Sequence, residues 1–259
     1  MRDILDAVAA GELTPEEAEV RLRGYATGDA GRFDATRERR SGVPEAVLGD
    51  GKTPTEIRDL VTTSLETTGR AIATRLDDRQ RAVLEDHVPE QYPDAEMRVH
   101  EREGLFVAHG PDFESPDLAA RVAVVSAGTS DVVPAGEAAI VAAEMGADVE
   151  RIEDVGVASL ARMVDTLPEL RSQDVIVVAA GREGALPTVT AGLVDVPVIG
   201  LPVSTGYGHG GAGKAALSGM LQSCTVLSVV NVDAGFTAGA QAALLARRVD
   251  AARPEDDPT

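Results

Sequence analysis

Several features are scarce in this sequence, and each scarcity excludes a class of protein. Of 259 residues, one is cysteine and two are lysine. No apolar run approaches the roughly 20 residues of a membrane span. One cysteine excludes an internal disulfide and a zinc cluster built from thiolates. The N-terminal residues carry acids and lack a signal-peptide pattern, so we predict a cytoplasmic protein with no membrane partner.

Positive charge is also scarce. Lysine and arginine number 24 against 43 acidic residues, which leaves a net charge of -19. Because nucleic-acid binding needs a basic face, we predict no nucleic-acid partner. An acidic, lysine-poor surface is typical of a halophile-like protein in a salt-rich cytoplasm, where screening weakens self-repulsion. A GC-rich genome that favours arginine, alanine and glycine codons is the alternative explanation.

The second half of the chain alternates apolar runs of strand length with helical segments. This alternation predicts an α/β fold with a doubly wound, mainly parallel five-stranded sheet. We assign residues 119–250 to this catalytic domain and 251–259 to a charged tail. The predicted strands are 122–125, 149–152, 175–180, 198–201 and 226–230, and the predicted helices are 134–145, 157–166, 186–193, 213–222 and 237–249.

The first 118 residues predict a separate, mostly helical domain with a short β-hairpin. Thr14 and Thr53 each begin a capping box with proline at the first helical position. The second box is followed by an amphipathic pattern that we extend as far as Ile72. Two short runs, 96–100 and 105–108, flank a polar turn and predict the hairpin.

Three polar loops follow predicted strands, at the sheet edge where ligands bind in such folds. The first is SAGTSD at residues 126–131, the second GREG at 181–184, and the third spans 204–213. In the first loop, Thr129 and Ser130 precede a helix, whose N-terminus attracts phosphate. Helix capping by Ser130 or Asp131 is the alternative.

The third loop is dense in glycine and ends at Lys214. Its amides predict a nest for a phosphate, and a tight structural turn is the alternative. It is no P-loop, because Ala215 stands where the hydroxyl that binds Mg²⁺ is needed. His209, between glycines, is either a phosphate donor or simply exposed. The candidate residues of this loop are Ser204, Gly206, Gly208, His209, Gly210, Gly211 and Lys214.

Two residues are candidates for the chemistry itself. Glu183 lies at a strand end, where it predicts a general base or a hydrogen-bond acceptor, with a solvated loop acid as the alternative. Cys224 is either a small core residue or a nucleophile. Because it precedes the last strand, it lies at the edge opposite the loops. It reaches their site only from a neighbouring subunit, so we predict a homo-oligomer.

The motifs in this order resemble the LarB family, the carboxylase/hydrolases that begin nickel-pincer cofactor synthesis. The resemblance is carried by residues 126–131, GREGALP at 181–187, 200–214, Cys224 and NVDAGF at 231–236. In the N-terminal domain it is carried by residues 34–45 and 51–53. The C-terminal half is also similar to the flavodoxin-like fold of PurE, the aminoimidazole-ribotide carboxylase and mutase. PurE proteins carry a histidine where this chain has Gly184 and its neighbours, which disfavours PurE chemistry.

The LarB resemblance implies a reaction. Nicotinic acid adenine dinucleotide is carboxylated at C5 of its pyridinium ring by CO₂, with Mg²⁺, and its phosphoanhydride is hydrolysed. The products are pyridinium-3,5-biscarboxylic acid mononucleotide and AMP. A PurE-type purine enzyme and a non-catalytic nucleotide-binding module are the alternatives.

The LarB resemblance also implies residue roles, and the similarity to PurE-like folds, which assemble as octamers, suggests an octamer as the homo-oligomer. Cys224 attacks the ring, and the ligands of Mg²⁺ stay unknown. The chemistry makes Glu183 the candidate for the base that removes the C5 proton. The implied substrate-binding residues are Gly128, Thr129, Ser130, Asp131, Gly181, Gly184, the third-loop residues named above, and Asp34, Arg37 and Arg40 from the N-terminal domain. For the last three, a surface charge cluster is the alternative.

Overall fold

The structure is a computed structural model that describes residues 2–28, 30–206 and 208–253. The chain divides into two compact units, Met1–Glu114 and Ser115–Thr259. The tail from residue 254 onward and Tyr207 in the glycine-rich loop lie outside the described residues.

The first unit contains five helices and six strands among its described residues. The elements are α1 (Arg2–Ala9), α2 (Pro15–Arg23), β1 (Ala26–Gly28), β2 (Gly31–Phe33), α3 (Arg37–Ser41), β3 (Val47–Leu48), α4 (Pro54–Thr68), β4 (Arg70–Thr74), α5 (Asp78–Gln91), β5 (Glu96–His100) and β6 (Leu105–His109). The predicted hairpin is present, since β5 and β6 pair antiparallel, but it belongs to a larger sheet of order β3-β4-β6-β5. β1 and β2 form a second antiparallel pair.

Helix α4 shows how the first unit departs from the sequence pattern. Thr53 and Glu56 form the predicted capping box at its start. The helix ends before Gly69, which adopts a left-handed conformation with φ of 71°. The extension to Ile72 was wrong, because the chain reverses at this glycine and Ile72 is buried in β4.

The second unit has the predicted α/β fold. The elements are β7 (Arg121–Ser126), α6 (Val132–Glu144), β8 (Asp148–Ile152), α7 (Leu160–Leu170), β9 (Val175–Ala180), α8 (Ala185–Ala191), β10 (Val198–Pro202), α9 (Lys214–Leu221), β11 (Ser228–Val229) and α10 (Gly235–Asp250). Its strands form one sheet of order β11-β10-β9-β7-β8, in which every pair is parallel.

Helices cover the sheet of the second unit. All six residues of β9 are buried, as expected of a parallel strand covered on both sides. Met163 of α7, Leu186 of α8 and Met220 of α9 join one buried cluster with strand residues. Helices α6 and α10 pack on each other and on the sheet. Since all strands are parallel, their carboxyl ends meet at a single edge.

The contact between α6 and α10 depends on a glycine. A Cβ atom on Gly239 would overlap the backbone carbonyl of Ala138. At an exposed helix position, replacing glycine by alanine stabilises a protein by about 1 kcal/mol. Here we expect Gly239→Ala to lower the free energy of unfolding by about 1–3 kcal/mol, because the helices must move apart.

Urea unfolding measures this change. The control is Thr237→Ala on the exposed side of the same helix, which we expect to change the free energy of unfolding by less than about 0.5 kcal/mol. A Gly239→Ala protein as stable as the unmodified one would contradict the close approach of α6 and α10.

Candidate functional site

A cavity of about 520 Å³ opens at the carboxyl edge of the sheet in the second unit. Its wall includes all three polar loops and a fourth segment, residues 156–158, that follows β8. Val157 and Leu186 give part of the wall an apolar character. The polar loops contribute Gly128, Ser130, Asp131, Gly181, Arg182, Glu183, Thr205 and Gly206.

The Asp131 carboxylate links these loops. It is only 3% exposed. Its Oδ2 accepts the Gly128 N–H at 3.0 Å, and its Oδ1 lies 3.5 Å from the Ser130 hydroxyl. The Gly181 amide and the Thr205 hydroxyl also hydrogen-bond to it. One side chain of the first loop therefore holds the second and third loops beside it.

This arrangement changes the interpretation of Asp131. By position it is the N-cap residue of α6, but its side chain makes no capping hydrogen bond to that helix. Helix capping by Asp131 was therefore wrong. Burial raises the pKa of Asp131 above its ordinary value of 3.8, and the hydrogen bonds from Gly128 and Gly181 oppose that rise in part.

The second loop is a tight turn on the cavity wall. The Gly184 N–H donates to the Gly181 carbonyl at 2.9 Å. Glu183 is exposed and lines the cavity, as a base or a substrate contact would. Gly184 is buried and does not line it, and a Cβ there would lie 2.6 Å from the Ala216 carbonyl. Packing against α9 therefore explains this glycine.

The third loop is closed largely by its own backbone. Amides of Gly211, Ala212, Lys214 and Ala215 donate to carbonyls of Gly208, Gly206, Gly211 and Gly210. A Cβ on Gly213 would overlap Val232. These contacts favour the tight-turn alternative for this segment. Gly206 lines the cavity, whereas Ser204, Gly208, His209, Gly210, Gly211 and Lys214 do not.

The remaining loop residues differ in whether they line the cavity. Thr129 and Ser130 are both exposed, but only Ser130 lies on the cavity wall. His209 is exposed, which agrees with its place between glycines. The Ser204 N–H donates to Asp233 Oδ1 at 2.9 Å, a contact that fixes the end of β10. Phosphate binding by these residues stays a prediction.

Cys224 is exposed, so its interpretation as a buried core residue was wrong. It lies between the end of α9 and the start of β11. Because β11 runs parallel to β10, this position is at the amino edge of the sheet, opposite the cavity. The neighbouring Thr225 hydroxyl donates to the Thr188 carbonyl of α8 at 3.2 Å.

The three N-terminal candidates, Asp34, Arg37 and Arg40, form ion pairs within their own unit. Arg40 bonds Asp34 at 2.6 Å, and Arg37 bonds Glu45 at 2.8 Å. The hydrogen bond from Arg40 lowers the pKa of Asp34. Asp34 lines two smaller cavities of about 330 and 340 Å³ in this unit. Substrate binding by Asp34, Arg37 and Arg40 stays a prediction.

The described residues do not fit a magnesium site held by the protein alone. They contain no group of three or more histidine, cysteine or acidic residues that could hold a metal ion. The cavity wall has two acids, Asp131 and Glu183, and both oxygens of Asp131 already face hydrogen-bond donors. Mg²⁺ prefers several oxygen ligands in octahedral geometry.

None of the helices in the described ranges combines the length and the apolar character that a membrane-spanning segment requires.

Sequence reasoning missed two polar residues of the wall, Arg182 and Thr205. Arg182 stands beside Glu183 in the GREG segment, and this adjacency was the available signal. Thr205 lies inside the predicted third loop, where the glycine pattern predicts backbone contacts and does not single out this hydroxyl.

Comparisons with known proteins place both units. The family model described as AIR carboxylase matches residues 121–256, so the second unit has the fold of that class of carboxylase. The model described as the LarB/PurE-like N-terminal domain matches residues 25–103. With both matches in one chain, it belongs to the LarB family. An uncharacterized protein of Methanocaldococcus jannaschii is 35% identical over 254 residues, which cover 95% of this chain and 97% of that protein.

The raised pKa of Asp131 predicts how stability depends on pH. Protonation is easier in the folded state than in the unfolded state. The Asp131 carboxyl group therefore contributes its full stabilisation of the folded state below pH 3.8, and this stabilisation is lost as the pH rises through the raised pKa of the folded state. Asp131→Asn cannot ionise. We therefore compare the free energies of unfolding of the unmodified protein and the variant. We expect the unmodified protein to lose stability relative to the variant as the pH rises from below 3.8 through the raised pKa of the folded state.

Urea unfolding of both proteins between pH 3 and 7 gives this difference. Glu56→Gln is a control of opposite sign, because the Thr53 amide lowers the pKa of Glu56 and its contribution is lost as the pH falls. An Asp131→Asn difference that does not change with pH would contradict the burial of the carboxyl group.

Proposed function

We propose that this chain carboxylates nicotinic acid adenine dinucleotide at C5 of its pyridinium ring and hydrolyses its phosphoanhydride. The products are pyridinium-3,5-biscarboxylic acid mononucleotide and AMP. The observation that carries the proposal is a 520 Å³ cavity with a carboxylate, Glu183, on its wall, in a unit that matches AIR carboxylase. The match to the LarB N-terminal domain favours this substrate over a purine precursor.

The reaction needs a nucleophile because a pyridinium ring is electron-poor and does not attack CO₂. A thiolate that adds to the ring forms a C–S bond and leaves a neutral dienamine, whose C5 is nucleophilic. C5 then forms a C–C bond to CO₂. Loss of the C5 proton to a base and departure of the thiolate restore the aromatic ring, so one difficult step becomes several easier ones.

Two side chains have the chemistry for these steps. Cys224 is exposed and supplies the thiolate. Glu183 is exposed on the cavity wall and accepts the C5 proton. The Ser130 hydroxyl and the Gly128 and Gly206 backbones lie on the same wall, where they can contact the polar part of a dinucleotide.

The positions of these two residues support a site completed by a second copy. Cys224 lies at the amino edge of the sheet, whereas Glu183 lies at the carboxyl edge. Apolar side chains near Cys224 are uncovered, with Leu221 65% and Val226 95% exposed. A second copy that covers this surface would bring its own Cys224 to the cavity of the first.

The first test incubates the protein with the dinucleotide, Mg²⁺ and ¹³C-bicarbonate and analyses the products by mass spectrometry. We expect a labelled biscarboxylated mononucleotide and AMP. Cys224→Ser should abolish carboxylation, because a hydroxyl is a far weaker nucleophile than a thiolate. The mass spectrum of this variant should also lack the covalent adduct between the protein and the ring. Ser172→Ala, a conservative change at the same sheet edge, should leave turnover unchanged.

Each contrary result has a distinct meaning. Turnover of aminoimidazole ribotide in place of the dinucleotide would identify a purine enzyme. Binding without product would identify a nucleotide-binding module. Full activity in Cys224→Ser would show that the thiol takes no part.

The second test addresses the shared site. Glu183→Gln should lower turnover by roughly 10²-fold or more, because amides do not accept the proton. Refolding this variant together with Cys224→Ser should restore part of the activity, since some interfaces then pair an intact Cys224 with an intact Glu183. No recovery, despite subunit mixing proven by native mass spectrometry, would show that both residues act within one chain.

A further inference from the structure

Arg182 occupies a backbone position that favours glycine. It is the first central residue of the turn closed by Gly184 and Gly181, and its φ is 50°. Positive φ at this point of a tight turn suits glycine, whereas a side chain adds strain. An arginine here is therefore a departure from the least strained choice.

The neighbouring loop holds Arg182 in this conformation. A Cβ on Gly206 would lie 2.8 Å from the backbone nitrogen of Arg182. The two loops therefore meet backbone to backbone, and Asp131 links both to the first loop. Strain of this kind persists where the surrounding structure fixes it, and such positions cluster at ligand-binding sites.

The charge of Arg182 is unusual for this cavity. Among the described residues that line it, Arg182 is the only basic one, and the acids are Asp131 and Glu183. The whole chain carries a net charge of -19. Arg182 is therefore the positively charged side chain that the described wall offers to an anionic ligand. The guanidinium group binds a carboxylate through two parallel hydrogen bonds, a geometry that a lysine does not reproduce.

We propose that Arg182 is a specificity-determining residue, which pairs with the carboxylate on the pyridine ring and thereby selects an acid substrate over its amide. This inference rests on the proposed function. In that function Glu183 acts on the ring, and Arg182 is its neighbour in the chain. The apolar wall residue Ala185 follows three positions after Arg182 and gives the ring a surface to pack on.

Calorimetric titration without bicarbonate tests the proposal on the full chain. The two ligands, nicotinic acid adenine dinucleotide and its nicotinamide counterpart, share their pyrophosphate and differ at the ring substituent. Arg182→Gln should weaken the acid by about 10–100-fold, in line with a charge-assisted hydrogen-bond pair. It should leave the amide nearly unchanged, and Arg182→Lys should restore part of the loss.

Two further variants separate recognition from structure. Arg182→Gly should lose the preference for the acid while its melting temperature stays at or above that of the unmodified protein, because glycine adopts positive φ without strain. Arg121→Gln removes the same charge at the opposite sheet edge and should keep the preference.

The contrary outcomes are distinct. Equal weakening of both dinucleotides would overturn the proposal and assign Arg182 to the shared pyrophosphate. Unchanged binding of both would also overturn it. An unmodified protein that binds neither dinucleotide would contradict the proposed function itself and, with it, this inference.

Discussion

A buried carboxylate at the carboxyl edge of the sheet organises the site. Asp131 accepts hydrogen bonds from the backbone or hydroxyl groups of all three polar loops, through Gly128, Gly181, Ser130 and Thr205. Those loops follow three different strands, and the Asp131 carboxylate links them at the edge of the sheet where ligands bind in such folds. Burial of this carboxyl is unfavourable in isolation, and its hydrogen bonds offset part of that cost. Asp131 therefore links the three loops that form most of the cavity wall.

The parallel sheet imposes a second constraint, because residues just after a strand and residues just before a strand lie at opposite edges. Glu183 comes after β9, and Cys224 precedes β11. In this structure the two positions therefore lie apart within one sheet. This separation is the reason that the proposed reaction is assigned to two copies of the chain, with the exposed Leu221 and Val226 near Cys224 as the proposed contact surface.

The sequence predicts some of these features well, for physical reasons. The run at 175–180 is apolar throughout and bounded by Asp174 and Gly181, so its limits match β9. The sheet of the first unit escaped detection because β3 has two residues and β4 follows directly on α4. Glycine is ambiguous in principle: Gly184 and Gly213 serve packing, whereas Gly206 lies on the wall. The sequence also does not show how exposed each side chain is. It therefore does not decide whether Cys224 is buried, and it does not place Arg182 on the cavity wall.

The most direct test of this account is amide hydrogen exchange, followed by mass spectrometry, with and without nicotinic acid adenine dinucleotide. Exchange reports local opening, and a ligand that bridges several loops slows exchange in all of them together. We expect slower exchange in residues 126–131, 181–184 and 204–206 at once, with the same protection lost in Asp131→Asn. Protection confined to one loop, or protection that survives the loss of the Asp131 carboxylate, would contradict the claim that this side chain builds the site.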